Sequence, residues 1–445
     1  MSAVARIRKS VISLALPVTV SSLLQRAEGI VAVFLVGGLG AEPIAAVGLG
    51  QLLVFIGTTL LSGLSVGANV LVAQLWGARR ATDAGEAAVH LIGLSLIASA
   101  LLALAGVAGN KPAMTALGAQ ADVIAQAVPY STVIFLVIPF TILIQVLSSI
   151  LQGTGNTKTP MYALIGVNVL HIVVAYPLIY GKWGAPALGI QGAAWAVGIA
   201  ESTGTAYLLW SCRKILARSM RLRFDLIHSA WRIGAPVSGE RVVQQAGIML
   251  YTKIVLLYGT VSYAAHQVGL SIESFSFLPG YGFAIAAATM VGQSIGAGKY
   301  VRARIENWEA NRLAVAGMAA MGIVFFFFPY ALMRGFTQDE AVVQLGTQFL
   351  RIVAMMQIPL ALTMVLAGSL RGAGDTRFIM WATTAGMWGV RVPLAFIFGV
   401  WLQLGVVYVW TAMIADWIVR MALLLWRYQS ERWRTIQVIR RSDQA

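Results

Sequence analysis

Five carboxylate side chains, Glu28, Glu201, Glu240, Glu273 and Asp416, stand inside long apolar stretches, together with Arg26, Arg241, Lys253, Arg351, Arg391 and Arg420. A charge at the centre of a bilayer costs about 3 kcal/mol or more, so each is a candidate for function. A carboxyl shielded from water can gain and lose a proton near neutral pH, which is the chemistry that ion coupling needs. Glu240 opens the stretch GERVVQQ, in which Gln244 lies one helical turn on and shares its face, with Gln245 beside it. That face would present a proton site and an amide together. The plainer option is that Glu240 pairs with Arg391 or Lys253. Glu273 lies in SIESFSF and is a second coupling candidate. Asp416 in WTAMIADWIVR and Arg391 in MWGVRVPLAF fall near the middles of adjacent apolar runs, and a structural ion pair is expected between them. His171 is suited either to proton relay or to a structural hydrogen bond with a neighbouring helix, while His90, His228 and His266 are placed at loop ends.

Phe275, Phe277, Tyr281 and Phe283 surround Pro279 and Gly280. Their ring faces could attract organic cations, and the Pro-Gly pair is expected to break its helix at mid-membrane. The 16 methionines add adaptable apolar surface for varied ligands. No catalytic constellation is present: HExxH, GxSxG and paired-aspartate metal motifs are absent from the spans, and LQGTGNTK lacks the spacing of a nucleotide loop. Neither a membrane-embedded enzyme nor an ATP-driven pump is expected, and no cofactor or metal. A channel is left open by hydropathy.

The elements that must position these groups are membrane helices. The chain is 58% hydrophobic and 11% charged over 445 residues, with a mean hydropathy of +0.78. Such a composition belongs to the bilayer, and uninterrupted runs such as MAAMGIVFFFFPYALM exclude the alternating strands of a barrel. The fold class is an all-α integral membrane protein. Twelve spans are predicted: 11–37, 43–74, 86–108, 123–150, 160–181, 189–212, 231–258, 263–293, 307–332, 339–368, 377–401 and 403–426. The basic start runs into the first apolar segment without a small-residue cleavage site and reads as a retained span. The single cysteine, Cys212, excludes an internal disulfide framework.

The formal charge of +15 is distributed on alternate connections, at Arg6, Arg8, Lys9, Arg79, Arg80, Lys158, Arg213, Lys214, Arg218, Arg221, Arg223, Lys299, Arg302, Arg304, Arg371, Arg377 and the tail arginines 427, 432, 434, 440 and 441. Only Lys111, Lys182 and Arg334 lie on the opposite ones. The loaded side is cytoplasmic by the positive-inside rule, with both termini there, and a surface facing anionic lipid accounts for the charge without nucleic acid. LQGTGNTKTP at 151–160 returns as LRGAGDTRFI 219 residues later, and VAQLWGA (72–78) as VGQSIGA (291–297); Pro17 and Gln25 likewise match Pro236 and Gln244. This is a duplication of six spans in parallel orientation. The expected parts are a six-helix lobe at 1–212, a basic cytoplasmic linker at 213–230, a second six-helix lobe at 231–427 and a basic tail at 428–445.

LQGTGNTKTPMY, the LVAQLWGA and MVGQSIGAG ends of the second and eighth spans, SIESFSFLPGYGF and AAHQVGL, in this order and duplicated layout, resemble the multidrug and toxic compound extrusion (MATE) transporters over nearly the whole chain. The resemblance implies two lobes in a V around a central cavity, export of bulky, often cationic amphiphiles in exchange for H⁺ or Na⁺, and location in the plasma (inner) membrane, here as a monomer among lipids. The candidates for lining that cavity are Gln25, Gln244, Gln245, Phe275, Phe277, Tyr281 and Phe283. The chain departs from the family where aspartates are common: GIVAVFLVG carries Ala32 in the first span, and NVLHIVVAYPLIYG carries Ala175 in the fifth, with His171 for an asparagine. Glu28, one turn before Ala32, is then the candidate for a displaced first-lobe site with His171 and Asn168. The alternative is coupling at Glu240 and Glu273 alone. A lipid-linked precursor flippase of the same superfamily is the other transport reading.

Overall fold

The computed structural model describes residues 3–216 and 223–438; Arg218 and Arg221 of the expected linker and Arg440 and Arg441 of the expected tail lie outside them. A chain this apolar satisfies its backbone hydrogen bonds within each segment, so helices dominate. They are α1 (Ala3–Gly37), α2 (Ala41–Gly77), α3 (Ala81–Ala116), α4 (Ala121–Gly153), α5 (Lys158–Tyr180), α6 (Ile190–Leu216), α7 (Phe224–Leu256), α8 (Thr260–Gly296), α9 (Tyr300–Phe327), the short α10 (Pro329–Arg334), α11 (Glu340–Gly372), α12 (Thr376–Gly386), α13 (Val392–Phe396) and α14 (Val406–Gln429). π-helical turns at Met387–Arg391 and Ile397–Trp401 join α12 and α13 into one rod. Among the described residues this makes twelve long rods, one for each predicted span. Ten are long and apolar enough to cross a membrane; α6 and α7 are the exceptions, the latter carrying Asp225, Arg232, Glu240, Arg241 and Lys253.

Several expectations need correction. Helix α7 begins at Phe224, inside the stretch expected to be linker. Outside the apolar part of α7, the Arg223 guanidinium grips Asp225 at 2.7 Å and holds its carboxyl below the usual carboxylate range, while the Arg223 amide donates to His90 Nε2 at 3.0 Å. Helix α8 runs unbroken through Pro279 and Gly280, so the Pro-Gly pair does not interrupt it. Pro279 lacks an N–H but its helical φ is already set, which a long packed helix tolerates. His266 is not at a loop end: it is buried within α8, ringed by Tyr251, Phe349 and Trp410.

The chain divides into two compact units, Val20–Ser238 and Met1–Thr19 with Gly239–Ala445. In the first, α4 is central, packed on α2, α3 and α6, with α5 against α6. In the second, α11 is central, packed on α8, α9 and α14. The repeated string explains both centres. Gly153 at the end of α4 brings the backbone close to Asn69 and Ala73 of α2, and Gly372, 219 residues on, does the same against Ala288 of α8. Gly155 and Gly374 then turn the chain at φ of 92° and 88°, a conformation that favours glycine. Asn156 Oδ1, one residue before the capping position at Thr157, accepts from the Thr159 amide at 3.1 Å. Asp375 makes no side-chain cap; it accepts from Arg427 at 2.7 Å.

The duplication also organises a crossing of the chain. The first part of α1 packs within the second unit, where Gly282 of α8 lies against Ala15 and Thr19, and Arg8 pairs with Glu309 of α9. The first part of α7 packs within the first unit, where Gly63 of α2 lies against Gly234, and Ser238 donates to Leu60 O at 2.6 Å. Gly63 and Gly282 are 219 residues apart, as are Ala15 and Gly234 and Thr19 and Ser238.

Candidate functional site

In the first unit, the half-buried Glu28 sits on α1 with a buried Oε1 that has no hydrogen-bond partner among the described residues. A polar atom in that state costs about 1–3 kcal/mol, so a buried unpartnered carboxyl oxygen needs a reason. Its electrostatic neighbour is the buried Glu201 of α6, whose Oε2 accepts from Thr141 Oγ1 of α4 at 2.5 Å. The small residues around Glu201, in GIAESTGTA, let α6 pack closely: Gly198 faces Val137 and Gly204 faces Val167. Thus α1 and α6 carry two carboxyls within electrostatic reach of each other, and α4 gives one of them a hydroxyl donor.

His171 and Asn168 are both buried on α5. Neither ring nitrogen of His171 has a hydrogen-bond partner among the described residues, and Asn168 Nδ2 donates back to Leu164 O of its own helix at 2.9 Å. The acid placed beside Glu28 is therefore Glu201, and no hydrogen bond ties His171 to Glu28. Ala32 and Ala175 are buried, Ala175 within an apolar core with Val36, Ile179 and Ala193. Gln25 is exposed.

In the second unit, Glu240 of α7 is buried and bound. Arg371 Nη2 of α11 lies 2.7 and 2.8 Å from its two oxygens, and Thr383 Oγ1 of α12 donates to Oε1 at 3.2 Å. Arg371, which the sequence pattern counts among the basic residues of the cytoplasmic connections, is the partner of Glu240, and Lys253 is exposed and is not. Comparison of the two copies carries the missed signal: Ser21 and Gln152 stand where the second copy has Glu240 and Arg371, so both members of the pair become charged together.

Asp416 of α14, fully buried, takes Arg420 Nε and Nη2 and lies 2.7 Å from Arg391 Nε. Arg391 sits on the first π-helical turn, just before Pro393, whose missing N–H loosens the regular ladder. Both guanidinium groups lie over the Trp417 ring, at 5.6 and 5.0 Å from its centre. Buried Glu273 of α8 is within electrostatic reach of Arg391.

A cavity of about 100 Å³ opens between these groups, lined among others by Glu240, Gln244, Phe277, Tyr281, Arg371 and Trp417. Gln245 is half-buried and Phe275 is 55% exposed, and neither lines the cavity. Phe283 packs against the apolar core of this unit. Trp417, Thr383 and Thr363 were missed because no pattern in one helix announces a residue that meets its partners only after three helices pack.

The family model MatE matches this chain twice, over residues 17–177 and 236–397. A probable multidrug resistance protein NorM of Thermotoga maritima is 30% identical, the match covering 98% of this chain and 96% of that one. A probable multidrug resistance protein NorM of Burkholderia mallei is also 30% identical, covering 93% and 91%. Among solved structures, the Vibrio cholerae MATE transporter VcmN in the bent form superposes with a TM-score of 0.90 at 19% identity, covering 97% of this chain and 98% of that one.

Proposed function

The chain belongs to the MatE family, and on that premise we propose that it is a secondary active exporter of amphiphilic, often cationic organic compounds, coupled by antiport to H⁺ or Na⁺. It works as a monomer in the plasma (inner) membrane with both termini cytoplasmic, where the basic connections meet anionic lipid. The relatives named for multidrug resistance support the substrate class.

The observation that carries the coupling site is the unpartnered Oε1 of Glu28 beside Glu201. Two carboxyls shielded from water and within electrostatic reach of each other do not ionise independently, which suits the exchange of a proton. Thr141 supplies a hydroxyl that donates to Glu201 when the carboxylate is present. Glu240 is less suited to this task, because its oxygens are already taken by Arg371 and Thr383. Glu28 takes the place of the family's first-span aspartate, one helical turn from Ala32.

Dye efflux from everted vesicles, under H⁺ and Na⁺ gradients imposed separately, tests the reading. One gradient should drive efflux, Glu28→Gln should remove the dependence on it, and Glu201→Gln should shift its pH profile. If neither gradient drives efflux the antiport reading fails; if Glu28→Gln transports normally the assignment of the site fails.

A further inference from the structure

The cavity of the second unit is rich in donors and short of acceptors. Its carboxylate Glu240 is already occupied by Arg371 and Thr383, and the neighbouring Asp416 by Arg420 and Arg391. Left without a hydrogen-bond partner among the described residues are Arg371 Nε, Trp417 Nε1 and Thr363 Oγ1, all buried atoms of residues that line this cavity. The first two can only donate. Trp417 and Thr363 are more than nine-tenths buried, so water does not answer for them from an open surface. The charged groups around the cavity are Arg241, Arg371, Arg391 and Arg420 against Glu240, Glu273 and Asp416, leaving one guanidinium in excess, that of the exposed Arg241 at the rim.

We infer that this cavity binds the carboxylate of an aromatic organic acid, with Arg371, Trp417 and Thr363 around the oxygens. A carboxylate only accepts, it is flat, and guanidinium is its strongest neutral-pH partner. An ammonium group would only add donors to a shell that already has unpartnered ones. The rest of the lining is apolar and aromatic, including Phe277, Tyr281, Met364, Ala367 and Leu424, which suits the ring of such an acid and is wasted on an inorganic anion. The inference deepens the export reading, extending its substrates to organic anions, and rests on it for that meaning. Binding itself needs no transport.

Full-length protein in phosphatidylcholine nanodiscs, titrated calorimetrically with benzoate, benzylamine and inorganic phosphate in turn, tests it. Benzoate should bind and the other two should not. Arg371→Gln should weaken benzoate by about tenfold to a hundredfold, the worth of a charge-assisted hydrogen bond. Trp417→Phe keeps a ring and removes only the N–H, so it should weaken benzoate by several-fold and decides the matter if Arg371→Gln does not fold. Glu240→Gln, which releases Arg371 from its present partner, should tighten benzoate, a change that a merely structural role would not produce. No benzoate binding, benzylamine binding as tightly, or unchanged affinity in Trp417→Phe overturns the inference. So does phosphate binding as tightly, or loss of benzoate binding when phosphatidylglycerol is included, since the site would then belong to a phosphate or a lipid headgroup. Benzoate binding without gradient-driven efflux would sink the export reading and leave the site standing.

Discussion

Glu240 and Arg371 form a buried pair whose separation matters more than its presence. Removing one partner of such a pair leaves an uncompensated charge and typically costs about 3–5 kcal/mol, whereas replacing both with residues of matched shape is near neutral. Arg371→Met should therefore lower the unfolding midpoint in detergent clearly, and Glu240→Gln with Arg371→Met should recover most of the loss. Midpoints that fall additively in the double variant would mean that the two side chains stabilise the fold separately. The acids themselves were legible in the sequence, because a carboxylate within an apolar run stands out. Their partners were not: Arg371 reads as one more basic residue beside a cytoplasmic turn, and Glu201 comes within electrostatic reach of Glu28 only in the folded chain, where α6 packs on α4.

Helices declared themselves through hydropathy, and the duplicated string marked the ends of α4 and α11. What the string does is steric. A Cβ on Gly153 would lie 2.8 Å from Asn69 O, and one on Gly372 closer still to Ala288 O. Both approaches are to backbone, so the neighbour cannot swing away, and overpacking of this kind costs about 1–3 kcal/mol. Gly372→Ala should lower the unfolding midpoint more than Gly153→Ala, while Gly166→Ala, which meets nothing within 4 Å, should leave it unchanged or raise it slightly. Equal effects at all three would remove close packing as the reason for the repeat. The segment after α14, as far as Val438, is a second such element. Trp433 is buried and stacked on Tyr428, and Val438 comes against Gly374, so Trp433→Ala should cost about 3–5 kcal/mol. Composition announced a basic tail; the packed tryptophan within it was hidden by its arginine neighbours. The π-helical turns were equally hidden, since Pro393 announces a disturbance but not its form.

At the scale of the molecule, α1 and α7 each belong to both units, and Pro17 and Pro236 stand just before the points of division at Thr19 and Ser238. A helix that must bend there needs a locally weakened ladder, which proline supplies. Pro17→Ala and Pro236→Ala should each slow dye efflux severalfold without lowering the unfolding midpoint, and unchanged rates would show that neither helix bends at its proline during the cycle. The twelve long helices and the duplication were readable because hydropathy is written locally and the repeated strings stand out. The crossing was not, because it joins positions far apart whose residues are small and unremarkable. Its consequence lies in time. Gly282 emerges 263 residues after Thr19, at about 5–20 residues per second some ten seconds to a minute later, whereas the first part of α7 meets an α2 made long before. The first part of α1, made long before α8, thus waits for the neighbour against which it packs.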